Sequence, residues 1–308
     1  MAASAAIVAA ESILALTPIA IKKSPLDEIS AVWSRVLSSG ILGYLLTGDR
    51  SLPRGEWGPA GALGLTNLLH VISSYESFRN LPAGQAMSLL YTYPLWNLVL
   101  GSLFGGEKIS TREFGFMGLA VVGSVLLNTD PGPTGESALG RAPSAPWGIA
   151  MGLVMALTES VMHTLLRGIG WRDAAKSVWV VNGSAGAWLG VAQLLQSFFN
   201  GGVKMIGLRS GTVEDAVSLT AFHGVSMFSG YWLRFYAVPR LSVVTYSILS
   251  YAGLLASYLF GFLFMGERPG WLSLLGMVLI IVSGIFIQMY APAADEPQRP
   301  EEDSTKRD

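Results

Sequence analysis

The chain has 308 residues, of which 51% are hydrophobic and only 13% charged, with a formal net charge of −1. Soluble domains carry about 25% charged residues, and a water-facing exterior leaves nowhere to hide this much apolar surface, so the composition describes a chain whose outside is lipid. The charge balance excludes a broad basic field for nucleic acid, and the absence of cysteine excludes disulfides and thiolate metal sites.

A bilayer core of about 30 Å needs roughly 20 mostly apolar residues per helix. Read with that ruler, spans are predicted near 5–22, 29–47, 58–78, 83–104 and 114–128, then near 147–166, 177–199, 215–237, 242–265 and 271–290. Turn and charge signals separate them, among them Lys22-Lys23-Ser24-Pro25, Gly48-Asp49-Arg50, Arg172-Asp173 and Glu267-Arg268-Pro269. The first segment has no basic residue before its apolar run, so it reads as a helix and not as a secretory signal. Residues 129–146 are rich in Pro, Gly and Ser and read as a linker. Residues 291–308 are charged and Pro-containing and read as a disordered cytoplasmic tail. The expected fold is all-α and integral to the membrane, with about ten transmembrane helices in two five-helix repeats, 1–128 and 147–290. Thirty-six glycines suit such a bundle, because small residues let helices approach closely in lipid.

Loop charges set the expected orientation. With the N-terminus cytoplasmic, the inner regions hold eleven Lys and Arg residues and the outer loops seven, which favours both termini inside. Lys22-Lys23 on the outer side works against that balance.

An internal repeat is the strongest signal. Residues 75–108 lie over 235–268 at a constant offset of 160: Tyr91 meets Tyr251, Gly101 meets Gly261, and Gly106-Glu107-Lys108 meets Gly266-Glu267-Arg268. Two repeats of five helices enter the membrane in opposite senses, the inverted arrangement that places a substrate site near the midplane between the halves. The stretch Phe78–Ser110 and its second copy Ala237–Pro269 resemble the third-to-fourth helix region of the EamA-type permeases of the drug/metabolite transporter superfamily. Leu275–Gly284 resembles that family's closing helix, and Arg35 resembles an arginine usual in its second helix. The resemblance implies a permease of small organic metabolites, in the direction of export. Pro94 departs from it in having Leu254 opposite.

Ionisable groups inside spans are costly and by default face a cavity or a partner. Glu11 is in the first span, and Glu159 in the corresponding sixth. Glu159 and His163, four apart, share a face and suit proton coupling, or else form a buried structural pair. Asn67, His70, Ser74 and Ser77 form a polar stripe on the third span, and His223, Ser226, Gly230 and Arg234 form one on the eighth. Each stripe lines a cavity or bonds neighbouring helices. Tyr91 and Tyr251, equivalent in the repeat, grip a solute or pack. Arg35 meets an anionic group of the substrate or anchors its helix against a carboxylate. Glu76 and Arg79 are expected to pair, and Glu107 and Glu267 to act as gates or helix ends on opposite sides. The histidine spacing gives little support to a metal site, and no cofactor is expected.

No Walker A sequence, Gly-x-Ser-x-Gly elbow, His-Glu-x-x-His pair or dinucleotide fingerprint is present, which argues against ATP-driven pumping and against an enzyme. The reading is a secondary transporter of a small metabolite, such as an amino acid, across a plasma or inner membrane, working as a monomer or homodimer with lipid, solute and protons as its partners. An exchanger of organic phosphates or nucleotide sugars in an internal membrane stays open, with Arg35 and Arg234 as anion contacts. So does a membrane enzyme or receptor without transport.

Overall fold

The computed structural model describes residues 2–105, 111–129, 144–200, 212–241 and 243–290. Of these, 88% are helical and none is in a strand. The helices are α1 (Ala2–Leu14), α2 (Thr17–Lys22), α3 (Glu28–Leu46), α4 (Trp57–Asn80), α5 (Ala83–Leu90), α6 (Tyr93–Gly105) and α7 (Thr111–Thr129), followed by α8 (Ala145–Ile169), α9 (Ala174–Asn200), α10 (Val213–Phe222), α11 (Phe228–Ala237), α12 (Val243–Met265) and α13 (Trp271–Tyr290). Among the described residues, four stretches are long and apolar enough to cross a membrane by length and composition: Ala2–Lys22, Glu28–Leu46, Ala145–Ile169 and Ala174–Phe199. The helix α4 is long enough but carries Asn67, His70, Ser73, Ser74, Ser77 and Arg79 on its buried side, which lowers its hydropathy. Phe198, Phe199 and Leu194 are 85%, 78% and 68% exposed, an apolar exterior that suits lipid. The protein is an integral membrane protein.

Prolines explain two breaks that hydropathy alone did not separate. Pro18 and Pro94 have no N–H to offer the carbonyls four residues back, Leu14 and Leu90, and α1 and α5 end at those residues. The chain turns through Ala15-Leu16 and Tyr91-Thr92 before helix resumes. Neither break has a counterpart in α8 or α12, which run unbroken. Between α10 and α11, His223–Met227 forms a π-helical turn, which advances the register of the second polar stripe. His223, Gly230 and Arg234 are buried, whereas Ser226 turns partly away and bonds back to the carbonyl of Phe222.

Helix α1 lies against α11 and α12, α4 against α8 and α9, α3 against α9, and α7 against α13. Glycines make two of these approaches possible. A Cβ on Gly64 would meet the backbone of Ser184 and Ala185 on α9, and one on Gly253 would meet Glu11 and the hydroxyl of Tyr91. The expected linker lies mostly in 130–143, and the expected tail is 291–308. Both fall outside the described residues, as does Glu107.

Polar groups tie elements from the two parts of the chain at both ends of the bundle. At one end Lys22, closing α2, pairs with Glu267 beyond α12, and Glu267 Oε2 also accepts from the N–H of Ala83 at the start of α5 (2.8 Å). That carboxylate caps the positive end of a helix. At the same end Arg79 Nη1 lies 3.4 Å from Glu28 and 4.0 Å from Glu76. At the other end Lys176, opening α9, pairs with Asp49 (2.8 Å) and Glu56 (3.6 Å), and Thr47 donates to Asp173 (2.6 Å). The hydrogen bonds from Lys176 and from Ser51 hold the Asp49 carboxyl well below its usual range. The 19 residues of α3 run between the two ends, a separation of about 28 Å at 1.5 Å per residue.

Candidate functional site

Between those ends lies a cluster of charges shut away from solvent. Glu11, Glu159 and Arg234 are 0%, 1% and 4% exposed. They come from α1, α8 and α11, three helices far apart in sequence. Arg234 donates from Nε to Glu11 Oε1 and from Nη2 to Glu11 Oε2, both at 2.8 Å, a bidentate pair. Its Nη1 donates to Glu159 Oε1. One guanidinium therefore uses all three nitrogens on two carboxylates.

The carboxylates carry further partners. Tyr91, in the break between α5 and α6, donates its hydroxyl to Glu11 Oε2 (2.7 Å). His163 Nε2 is 3.2 Å from Glu159 Oε1, as the four-residue spacing predicts. Tyr246 Oη lies 3.3 Å from the same His163 nitrogen, and the rings of Tyr93 and Tyr246 stand edge-on to it. His70 Nδ1 is 3.6 Å from Glu159 Oε2 and 3.2 Å from the carbonyl of Met155. Glu159 Oε2 itself accepts no hydrogen bond among the described residues.

The equivalent tyrosines meet. The Tyr91 and Tyr251 rings lie 5.8 Å apart and tilted by 43°. Of the two, the Tyr91 hydroxyl reaches the charged cluster, and that of Tyr251 has no hydrogen-bond partner among the described residues. On α4, Asn67 donates to Asn182 of α9 at 3.4 Å, whereas Ser74 bonds back to the carbonyl of Val71 on its own helix.

Of the two roles open for Arg35, the structure does not supply the carboxylate anchor. Among the described residues no carboxylate lies within ion-pair distance of it. Its Nη2 donates to the hydroxyl of Tyr231 (2.5 Å), and its guanidinium carbon lies 5.8 and 5.2 Å from the ring centres of Tyr75 and Tyr231. His223, of the second stripe, bonds a neighbouring helix, one of the two readings open for that stripe. It turns from the triad toward α3, where its Nδ1 meets Ser34 Oγ at 3.3 Å.

Sequence reasoning missed Tyr75 and Tyr231 beside Arg35, the place of Tyr246 beside His163, and the pairings Lys22–Glu267 and Lys176–Asp49. Tyr231 sits three residues before Arg234 on one helix face, a spacing that was legible. The partners across helices left no local signal.

A cleft of about 500 Å³ opens between α2 and α10, lined by Leu16, Ile19, Lys23, Asp215, Leu219 and Phe222 among others. It is separate from the buried cluster.

Residues 1–129 match the model of the EamA-like transporter family. No curated protein matches the sequence. A solved structure, titled only "Crystal structure of protein", superposes with a TM-score of 0.58 and 16% identity over 94% of this chain and 99% of its own, a likeness of fold alone. That match makes the first 129 of the chain's 308 residues similar to the EamA-like transporter family, which is part of the drug/metabolite transporter superfamily.

Proposed function

We propose that the protein is a secondary transporter that moves a small organic metabolite, an amino acid or a related compound, out of the cytoplasm by alternating access and without ATP. The observation that carries this reading is the triad itself. Carboxylates of the first and sixth predicted spans meet on one arginine of the eighth, buried between ends that are each closed by ionic contacts. Burying such charges costs several kcal/mol per ion before pairing, and a transporter gains from that expense because a site of this kind responds to solute and proton.

In this reading the ten segments form two inverted five-helix repeats, 1–128 and 147–290, with both termini cytoplasmic in a plasma or inner membrane. The pairing of Lys22 with Glu267 supports that orientation, since it offsets a positive charge that otherwise sits on the outer side. The conformation described is occluded, with the contacts at both ends made. Opening to either side requires one set to break while the other holds. Protonation of Glu159, beside His163 and His70, releases one arm of Arg234 and leaves its bidentate grip on Glu11, which loosens α8 from α11.

The test uses sealed proteoliposomes loaded with labelled amino acids, nucleosides and sugar phosphates, with efflux followed with and without a pH gradient. Saturable efflux of one class is expected, accelerated by the gradient in wild type but not in Glu159→Gln. No saturable flux above protein-free vesicles, from protein shown to be folded, overturns the proposal.

A further inference from the structure

The charged cluster leaves one cation unaccounted for. Arg35 is 2% exposed, and its Nε has no hydrogen-bond partner among the described residues. Arg234 is consumed by two carboxylates, whereas Arg35 rests on tyrosines alone. A buried guanidinium with no carboxylate in contact among the described residues is expensive, and it is the feature a bound anion would relieve.

His223, fully buried, stands beside it. Both residues lie near Tyr75, whose ring centre is 5.8 Å from the Arg35 guanidinium and 6.4 Å from the His223 ring centre. The imidazole's Nδ1 bonds Ser34, the residue before Arg35. The tautomer follows from the chain of bonds beyond it. Thr220 Oγ1 faces the carbonyl of Ala216 (2.9 Å) and must donate its single hydrogen there. Ser34 Oγ, 3.1 Å from Thr220 Oγ1, must then donate to it. With both hydroxyl hydrogens spent, Ser34 can only accept from His223, so the neutral ring carries its hydrogen on Nδ1. Its Nε2 is left as a buried lone pair with no partner among the described residues.

We infer that Arg35 and His223 form a subsite, apart from the triad, for a solute head group that presents an anionic oxygen with an N–H or O–H beside it. Arg35 Nε donates to the oxygen, and His223 Nε2 accepts the adjacent hydrogen. Two head groups share this chemistry: the carboxylate and ammonium of an amino acid, and a singly protonated phosphate. The subsite rests on the transporter reading for its purpose, although its binding can be measured without transport.

The test is a thermal-shift titration of the purified full chain in detergent with glycine, dihydrogen phosphate at pH 6, acetate and methylammonium. The last two carry only one half of the required pair. The expected result is saturable stabilisation by glycine or by dihydrogen phosphate, which identifies the source. Acetate and methylammonium should bind at least tenfold more weakly. Arg35→Gln should weaken the binding at least tenfold, and His223→Gln should bring the preferred probe down to the level of acetate. Arg35→Lys keeps the charge but loses the planar fork, so it should bind between the two, and it carries the test if Arg35→Gln does not fold. No shift with any probe, or equal affinity in wild type and both Arg35 variants, overturns the inference. So does acetate binding as well as glycine and phosphate. Binding without flux in proteoliposomes keeps the subsite and removes the transporter, whereas flux with an unchanged KM in Arg35→Gln does the reverse.

Discussion

Replacing Arg234 by Gln should expose how much of the fold rests on one guanidinium. The substitution leaves Glu11 and Glu159 facing each other in a site that is 0% and 1% exposed, with their charge–charge partner gone. Breaking a buried pair by removing one partner costs about 3–5 kcal/mol. The alternative of protonating a carboxyl at pH 7, from an ordinary value of about 4.3, costs about 3.7 kcal/mol at 1.36 kcal/mol per unit. The two routes give the same magnitude, so Arg234→Gln should lose about 3–5 kcal/mol at neutral pH. Its folded state then binds more protons than its unfolded state, and its stability should rise as pH falls from 7 toward 5, opposite to a simple loss of packing. The triple variant Glu11→Gln, Glu159→Gln, Arg234→Gln removes every charge together and should recover most of the loss. Unfolding in mixed micelles, followed by helical circular dichroism, reads all three effects. A single variant within about 1 kcal/mol of wild type, or a triple variant no better than the single, refutes the argument.

Further predictions rest on single contacts. Tyr91→Phe removes one hydrogen bond to a buried carboxylate and should cost about 1.5–3 kcal/mol by the same unfolding measurement. Gly253→Val places a side chain where Tyr91 and Glu11 lie and should cost about 1–3 kcal/mol, with little added by Tyr91→Phe in the same chain because the contact is already lost. Because the chain has no cysteine, single introduced cysteines report access from each side of the membrane: Lys22→Gln should raise labelling from one side only, Lys176→Gln from the other, and the swap Lys22→Glu with Glu267→Lys should return labelling toward wild type. Asp49 holds its proton less readily in the folded protein than in the unfolded chain. Its contribution is therefore present above the ordinary carboxylate range and fades as pH falls toward its folded value, so the melting-temperature gap between wild type and Asp49→Asn should shrink on acidification.

The helices were legible from hydropathy because lipid demands long apolar runs, and the ends of α3, α9 and α13 fall close to the expected ones. The breaks in α1–α2 and α5–α6 lay in the sequence as Pro18 and Pro94, but a hydropathy window averages across a proline. Glu159 with His163 was readable because four residues of helix fix their relation. Arg234 with Glu11 was not, since nothing local ties residues 223 positions apart. The π turn at His223–Met227 escaped for a related reason. One inserted residue shifts every side chain beyond it, and the turn packs against α3, which no local pattern announces.

The two parts of the chain differ where the site is built, and the difference bears on how it works. Their equivalent tyrosines meet face to tilted face, yet only Tyr91 sits at a helix break, and only Tyr91 hydrogen-bonds the triad. Its break frees backbone groups close to Glu11, as discontinuous helices do in transporters. Tyr251 sits in the unbroken α12, packed so closely that a Cβ on Gly284 would strike its hydroxyl. A rigid helix carrying Gly253 thus presses against a broken one carrying Tyr91, with Glu11 between them. Movement of α5 and α6 about Tyr91-Thr92 would change the hydrogen bonding of Glu11 directly, whereas α12 has no such joint. On this geometry the first part of the chain supplies the hinge and the second the wall, and the triad couples them because Arg234 holds a carboxylate from each.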